Sequence, residues 1–237
     1  MRNGIQILIG ILIMFSNSNC YNSDSKKKQY CDEFYSVYPS LIKNTKSHDD
    51  SLALIKDLSL IIQKNTKCID AILTKGDLNL ELNNYKSAYD DFEKVIKLDS
   101  TNIYALYKAS ISMYELKKIR SSYGLIIKAI NIKERDDGSV VEYNSKYVHT
   151  KEARYDIDYL ELIFRKGIAE YEMSQFKDAV LSFSYCISNN YKLDRNYMYR
   201  GFCYYYQIKK EKSCSDLFLA IRLGNSEAQE FYNKNCN

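Results

Sequence analysis

Residues 160–224 read LELIFRKGIAEYEMSQFKDAVLSFSYCISNNYKLDRNYMYRGFCYYYQIKKEKSCSDLFLAIRLG, and one pattern occurs in them twice. Gly167 is followed by Phe176, Ala179, Phe183 and Cys186. Gly201 is followed by Lys210, Ser213, Leu217 and Ala220. The two glycines stand 34 residues apart, and every later pair keeps that offset. A self-similarity of this period predicts stacked helical hairpins, each unable to bury its apolar face alone, rather than a compact enzyme fold.

Working outward, residues 69–102 carry the pattern best: Gly76, then Tyr85, Ala88, Phe92, Val95 and an exit at Leu98-Asp99. Gly76 and Ala88 let two backbones approach, Phe92 and Val95 fill the space between hairpins, and Asn83-Asn84 make the turn. Residues 103–136 follow without a gap, with Ala109, Ser110 and Ser122 as small residues and Ile126, Ala129 and Ile130 as core. Residues 35–68 read as a degenerate copy. Its first helix holds Pro39; its second is expected to be capped by Asp50 and to carry Leu54, Leu58, Ile61 and Ile62 on one face. Between 137 and 159 the period breaks. This insertion opens on the turn Asp136-Asp137-Gly138, and its tyrosines, 143, 147, 155 and 159, predict an ordered excursion packed on the array. A tolerated insertion without a role is the alternative. Asp156 or Asp158 is expected to cap the next helix. Repeats at 160–193 and 194–227 follow, then, past a helix stop at Gly224, a capping helix at 226–237 with Ala228, Phe231 and Tyr232 on its apolar side.

These hairpins resemble the tetratricopeptide repeat family, and the closing run resembles the ends of its small exported bacterial members. The resemblance spans roughly residues 35–237. It implies an all-α solenoid, a right-handed superhelix of four to five repeats with a C-terminal capping helix. It also implies that the first helix of each hairpin forms a concave face for partners. On this sequence that face comprises Tyr104, Tyr107, Lys108, Tyr114, Phe164, Arg165, Tyr171, Arg195, Met198, Tyr199, Phe202, Tyr205 and Tyr206. Tyrosine suits such a face, having a large contact area, few rotors and a polar tip. Tyr204 is expected to pack inside. The same stripe at helical spacing is also what a purely packed core looks like. Family members that clamp a C-terminal carboxylate use lysine and asparagine at set first-helix positions. Here Leu73 and Asp77, Tyr107 and Ile111, or Phe164 and Ile168 occupy them, so a chaperone-adaptor role is not implied.

Composition narrows the function further. The chain has 237 residues, one proline, no tryptophan, 23 tyrosines and a net charge of only +4. Low proline favours helices joined by short turns. Lysines and carboxylates are interleaved, so no basic stripe points to nucleic acid. No phosphate-cradling glycine loop, HExxH or nucleophile elbow is present, which argues against an enzyme, a cofactor or a small-molecule substrate. The two histidines, His48 and His149, are far apart, and no Cys/His spacing suits zinc.

Residues 1–19, with Arg2 ahead of an apolar run from Ile5 to Phe15, read as a signal peptide, too short to span a bilayer. The segment resembles a lipoprotein signal, with Cys20 as the acylated residue and 20–29 as a polar tether. Ordinary cleavage near Ser16 and Ser18, giving a soluble secreted protein, is the alternative. An array at 30–237 then belongs to an exported, membrane-anchored protein of the envelope or periplasm. Six cysteines remain, an even set that permits disulfides. Cys186 and Cys203 fall at small-residue positions and read as buried thiols, whereas Cys214 and Cys236 are the disulfide candidates. The expected function is a non-catalytic scaffold binding a protein or peptide, with a purely structural envelope spacer as the alternative.

Overall fold

The computed structural model describes residues 31, 47–136 and 155–236. The chain divides into two units, Met1–Lys46 and Ser47–Asn237. In the first unit only Cys31 is described, and it is disulfide-bonded. The signal, Cys20, the tether and the first half of the degenerate repeat therefore lie outside the described residues, as does the insertion up to residue 154.

The second unit holds ten helices among its described residues: α1 (His48–Lys64), α2 (Ile69–Glu81), α3 (Tyr85–Leu98), α4 (Ile103–Glu115), α5 (Ile119–Asp136), α6 (Tyr159–Glu172), α7 (Phe176–Ser188), α8 (Leu193–Tyr206), α9 (Lys210–Arg222) and α10 (Ser226–Asn235). Helices α2 to α9 form four hairpins. In three of them a glycine of the first helix meets the residue sixteen places on in the second. A Cβ on Gly76 would stand 2.7 Å from the Phe92 ring, one on Gly167 2.7 Å from Phe183, and one on Gly201 2.9 Å from Leu217. The crossing needs the missing side chain. In the α4/α5 hairpin Ser110 takes the glycine's place and the opposing residue is the slimmer Ile126, both buried. The small residues Ala88, Ser122, Ala179 and Ser213 and the core residues Val95, Ala129, Cys186 and Ala220 recur at equivalent positions, each at most 4 % exposed.

The turn inside each hairpin repeats as faithfully. Asn83, Lys117, Ser174 and Ile208 all have left-handed backbones, with φ of 58°, 60°, 61° and 59°. The next amide closes on the carbonyl five residues back, as in Asn84 to Asn79 (2.8 Å) and Lys209 to Tyr204 (2.9 Å). This ties off carbonyls that the ending helix leaves unpaired. Asparagine tolerates that conformation; a β-branched residue does not, at a cost of about 1–2 kcal/mol. Ile208 is also 94 % exposed. Ile208→Asn is therefore expected to raise unfolding free energy by about 1 kcal/mol, read as a shift in denaturation midpoint at constant slope.

Polar bridges mark the same crossings. Lys75 and Asn79 reach the buried Asp91 at 3.2 and 3.0 Å. In α6/α7 the roles are exchanged: the carboxylate is on the first helix, at Glu170, and Ser182 donates to it from the second at 2.7 Å. Arg200 forks onto Asp216 at 2.7 and 2.9 Å.

The stack continues across the insertion. Leu162 of α6 shares a core with Ile126, Ile130 and Ile132 of α5. Lys133 pairs with Asp156 at 2.7 Å, Tyr159 donates to Glu134 at 2.7 Å, and the Tyr155 ring lies 4.9 Å from that of Tyr104.

Two local expectations, the cap at Asp50 and the packing of Tyr204, need correction, and of the two candidate caps for α6 one is selected. Helix α1 is capped by Ser47, and Asp50 is the third residue of the capping box rather than the cap itself. Its hydroxyl oxygen accepts the Asp50 amide while the Asp50 carboxylate accepts the Ser47 amide, which satisfies two free donors reciprocally. Asp158, not Asp156, caps α6, accepting the Leu160 amide at 2.8 Å. Tyr204 does not pack inside. It is half-buried, with Arg200, Lys209 and Lys212 between 5.8 and 5.9 Å from its ring. The cause is register: three residues past Gly201, it fills the slot that Asn79 and Glu170 fill in their hairpins.

At the C-terminal end Cys214 and Cys236 are joined by a disulfide across 22 residues, tying α10 to α9. Asn225 caps α10, and Ala228 is fully buried beneath it. Cys186 and Cys203 are free and buried. Burial raises both thiols to about 12, so neither is a nucleophile at neutral pH. No described helix is long and apolar enough to cross a membrane.

Candidate functional site

First helices of successive hairpins present residues at i, i+3 and i+4 to one side, and at α4, α6, α8 and the start of α10 that side hollows into a groove. Its volume is about 460 Å³. The floor is Phe164 and Ile168 from α6 with Met198 and Tyr199 from α8. The Tyr199 ring is fixed by a stack on Phe183 (5.4 Å) and an edge contact with Phe164 (6.2 Å). Tyr114 forms one wall, its hydroxyl donating to Glu172 at 3.0 Å. Opposite it stand Gly224 to Glu227, the entry to α10.

The rim is charged. Arg195 is exposed and forms no ion pair among the described residues. Asp194, its neighbour on α8, and Glu227 of α10 add acidic groups to the same lining. Arg165 is held from below by Glu161, Nε to Oε1 at 3.1 Å, and its guanidinium lies 6.0 Å from the Tyr107 ring.

Glu161 is the electrostatic centre beneath the groove. It is 8 % exposed and accepts from Tyr107 (2.7 Å), Tyr191 (2.6 Å), Arg165 and Lys192. Burial alone would raise its pKa. The hydrogen bonds from Lys192, Tyr191 and Tyr107, with the charge on Arg165, outweigh that and hold it at about 2. The carboxylate thus joins α4, α6 and the turn before α8 across the break in the period.

The thirteen predicted partner-facing residues fall into three groups. Tyr114, Phe164, Arg165, Arg195, Met198 and Tyr199 line the groove. Tyr104, Tyr107 and Lys108 are engaged internally. Tyr104 donates to Asp77 at 2.7 Å, Lys108 pairs with Asp77 at 2.9 Å, and Tyr107 serves Glu161. Tyr171, Phe202, Tyr205 and Tyr206 are not brought to the groove; they gather with Phe176 and Phe231 in an aromatic cluster at the other end of α8. Tyr205 and Tyr206 remain 40 % and 51 % exposed there. Sequence reasoning missed Glu161, Asp194 and the α10 wall. Of these only Glu161 left a trace, an acid four residues ahead of Arg165 on one helix.

Phe164 and Met198 are themselves buried, so the surface on offer is that of the half-buried Tyr114 and Tyr199 under a rim of mixed charge, which suits the polar groups of an extended chain. Among the described residues no group of three histidines, cysteines or carboxylates is placed to hold a metal.

The fold and groove define a helical-hairpin solenoid with a lined inner face, and solved structures agree. MamA from Desulfovibrio magneticus RS-1 superposes with a TM-score of 0.65 at 11 % identity, over 83 % of this chain and 96 % of that one. YrrB, described as a tetratricopeptide repeat protein with an unusual peptide-binding site, gives 0.61 at 15 % identity over 86 % and 90 %. A tetratricopeptide repeat protein from Parabacteroides merdae gives 0.52 at 17 % over 90 % and 80 %. At these identities the likeness establishes the fold, which is that of tetratricopeptide repeats. No family model matches the sequence, and no curated protein matches it.

Proposed function

We propose that this chain is a non-catalytic scaffold that holds an extended segment of a partner protein in the groove between α4, α6, α8 and α10. The observation that carries the reading is the groove itself. Three successive first helices line it, α6 and α8 give it a fixed floor, and Arg195 stands at its rim with no ion pair among the described residues. The peptide-binding site of YrrB gives a precedent on the same fold. The N-terminal sequence supports export, with an acyl chain on Cys20 holding the array at a membrane of the cell envelope.

Selection of a displayed random-peptide library on the purified protein tests the groove. It is expected to yield linear peptides whose affinity falls at least tenfold in Arg195→Glu, an exposed substitution that leaves helix content unchanged. A library that enriches nothing, or peptides indifferent to Arg195→Glu, favours the spacer instead, in which the aromatic stripe only packs. The anchor is read separately from cells: detergent partitioning is lost in Cys20→Ser if the cysteine is acylated and is unchanged if it is not.

A further inference from the structure

A second cavity, of about 520 Å³, lies among α1, α2 and α3 and shares no lining residue with the groove. Lys67, Lys75, Lys94 and Lys97 line it, Ile62 and Leu98 give it an apolar side, and none of its lining residues is acidic. The balance of charge is unequal. Lys75 and Lys94 share one oxygen, Asp91 Oδ1, at 3.2 and 3.0 Å, while Asp91 Oδ2 is taken by Asn79. Lys97 has Glu93 at 2.6 Å. Lys67 forms no ion pair among the described residues. Among the described residues four ammonium groups thus answer to two carboxylates, leaving two positive charges in excess.

Capping of helix ends does not account for this set. Lys97, in the last turn of α3, also answers the carbonyls there, but Lys75 lies mid-helix in α2 and Lys94 faces Asp91. Two ammonium groups drawn to a single carboxylate oxygen repel each other, and a second anion in the cavity relieves that. Lysine binds phosphate as a compact point charge with three rotatable donors, and an excess of two positive charges favours an anionic phosphate group, whether monoester, diester or free.

We infer that this cavity binds a phosphate-type oxyanion, either free or as the headgroup of an anionic lipid. Ile62 and Leu98, the latter 40 % exposed, offer the adjoining apolar surface to whatever carries the phosphate. Because the site uses α1 to α3, it is independent of the peptide groove.

Two probes separate the sources. Pyrophosphate is titrated into the full chain by calorimetry. In parallel, flotation with phosphatidylglycerol vesicles is compared with flotation on phosphatidylcholine and read as a ratio, so that any anchor in the chain cancels. At least one probe is expected to bind, and Lys67→Gln/Lys97→Gln to weaken it tenfold or more. Both side chains are exposed, and Lys75, Lys94 and Asp91 stay intact, so the fold is kept. Lys177→Gln/Lys210→Gln removes the same charge elsewhere and is expected to change binding less than twofold. Calorimetric binding without flotation assigns a free anion; flotation without calorimetric binding assigns a lipid. Silence from both probes overturns the site. So does an equal loss in the two double variants, which reduces it to diffuse surface charge.

Discussion

Glu161→Ala is expected to lower unfolding free energy by about 3 kcal/mol, with a fall in Tm of roughly 8 °C. Four donors converge on this carboxylate from α4, from α6 itself and from the turn before α8. Removing it leaves the Tyr107 hydroxyl without an acceptor in a buried site and strands the charge on Arg165. The loss stays below the upper range for a buried pair because the Lys192 side chain is 37 % exposed and recovers water. Calorimetric unfolding of wild type and variant decides it, and a difference under 1 kcal/mol would show the network to be incidental.

The pH dependence follows from the sign of the shift. The Glu161 carboxyl is depressed from its ordinary 4.5 to about 2. Its stabilisation is therefore complete above pH 4.5 and is lost as pH falls toward 2, being on the order of 3 kcal/mol at neutrality. The stability gap between wild type and Glu161→Gln is expected to be flat from pH 8 to 5 and to close below that. The substitution reaches the groove as well, since Arg165 at the rim is steered by this carboxylate. Weaker peptide binding in Glu161→Gln, with Arg195 untouched, would place the network beneath the site in its function.

How much of this was legible depended on whether a feature repeats. Gly76, Gly167 and Gly201 announced their crossings because each meets a large residue at the same interval, and the groove floor followed because Phe164, Met198 and Tyr199 sit at fixed offsets from those glycines. Tyr204 was misread although the signal was present. Helix α8 carries aromatics almost all round, so hydropathy gives it no clear inner side; only its offset from Gly201 places it in the polar slot of Asn79 and Glu170. The Glu161 network was not legible. Tyr191 and Lys192 reach it through a turn in which Asn190 and Lys192 both adopt positive φ, 55° and 39°, and no residue type there advertises that path. The α10 wall was hidden for another reason: Glu227 comes to line the same groove as Arg165 only through the stacking of helices far apart in sequence.

The crossing at Gly167 gives the other large effect. Gly167→Ala puts a methyl group 2.7 Å from the Phe183 ring, which is wholly buried and cannot swing aside, so a loss of about 2 kcal/mol is expected. Phe183→Ala alone opens a cavity and is expected to cost about 3–5 kcal/mol. The two changes oppose each other in volume and must not add. The α4/α5 hairpin has already made the exchange, with Ser110 against Ile126. Transplanting it as Gly167→Ser/Phe183→Ile is expected to be at least 1.5 kcal/mol more stable than the sum of its single variants predicts, measured as a double-mutant cycle in denaturant. In Ser110 the hydroxyl donates to the Tyr107 carbonyl one turn back, at 2.6 Å, so the transplanted serine carries its own partner. Strict additivity would mean that the glycine is not there for Phe183, and the interval that organises the array would then need a cause other than the meeting of these two helices.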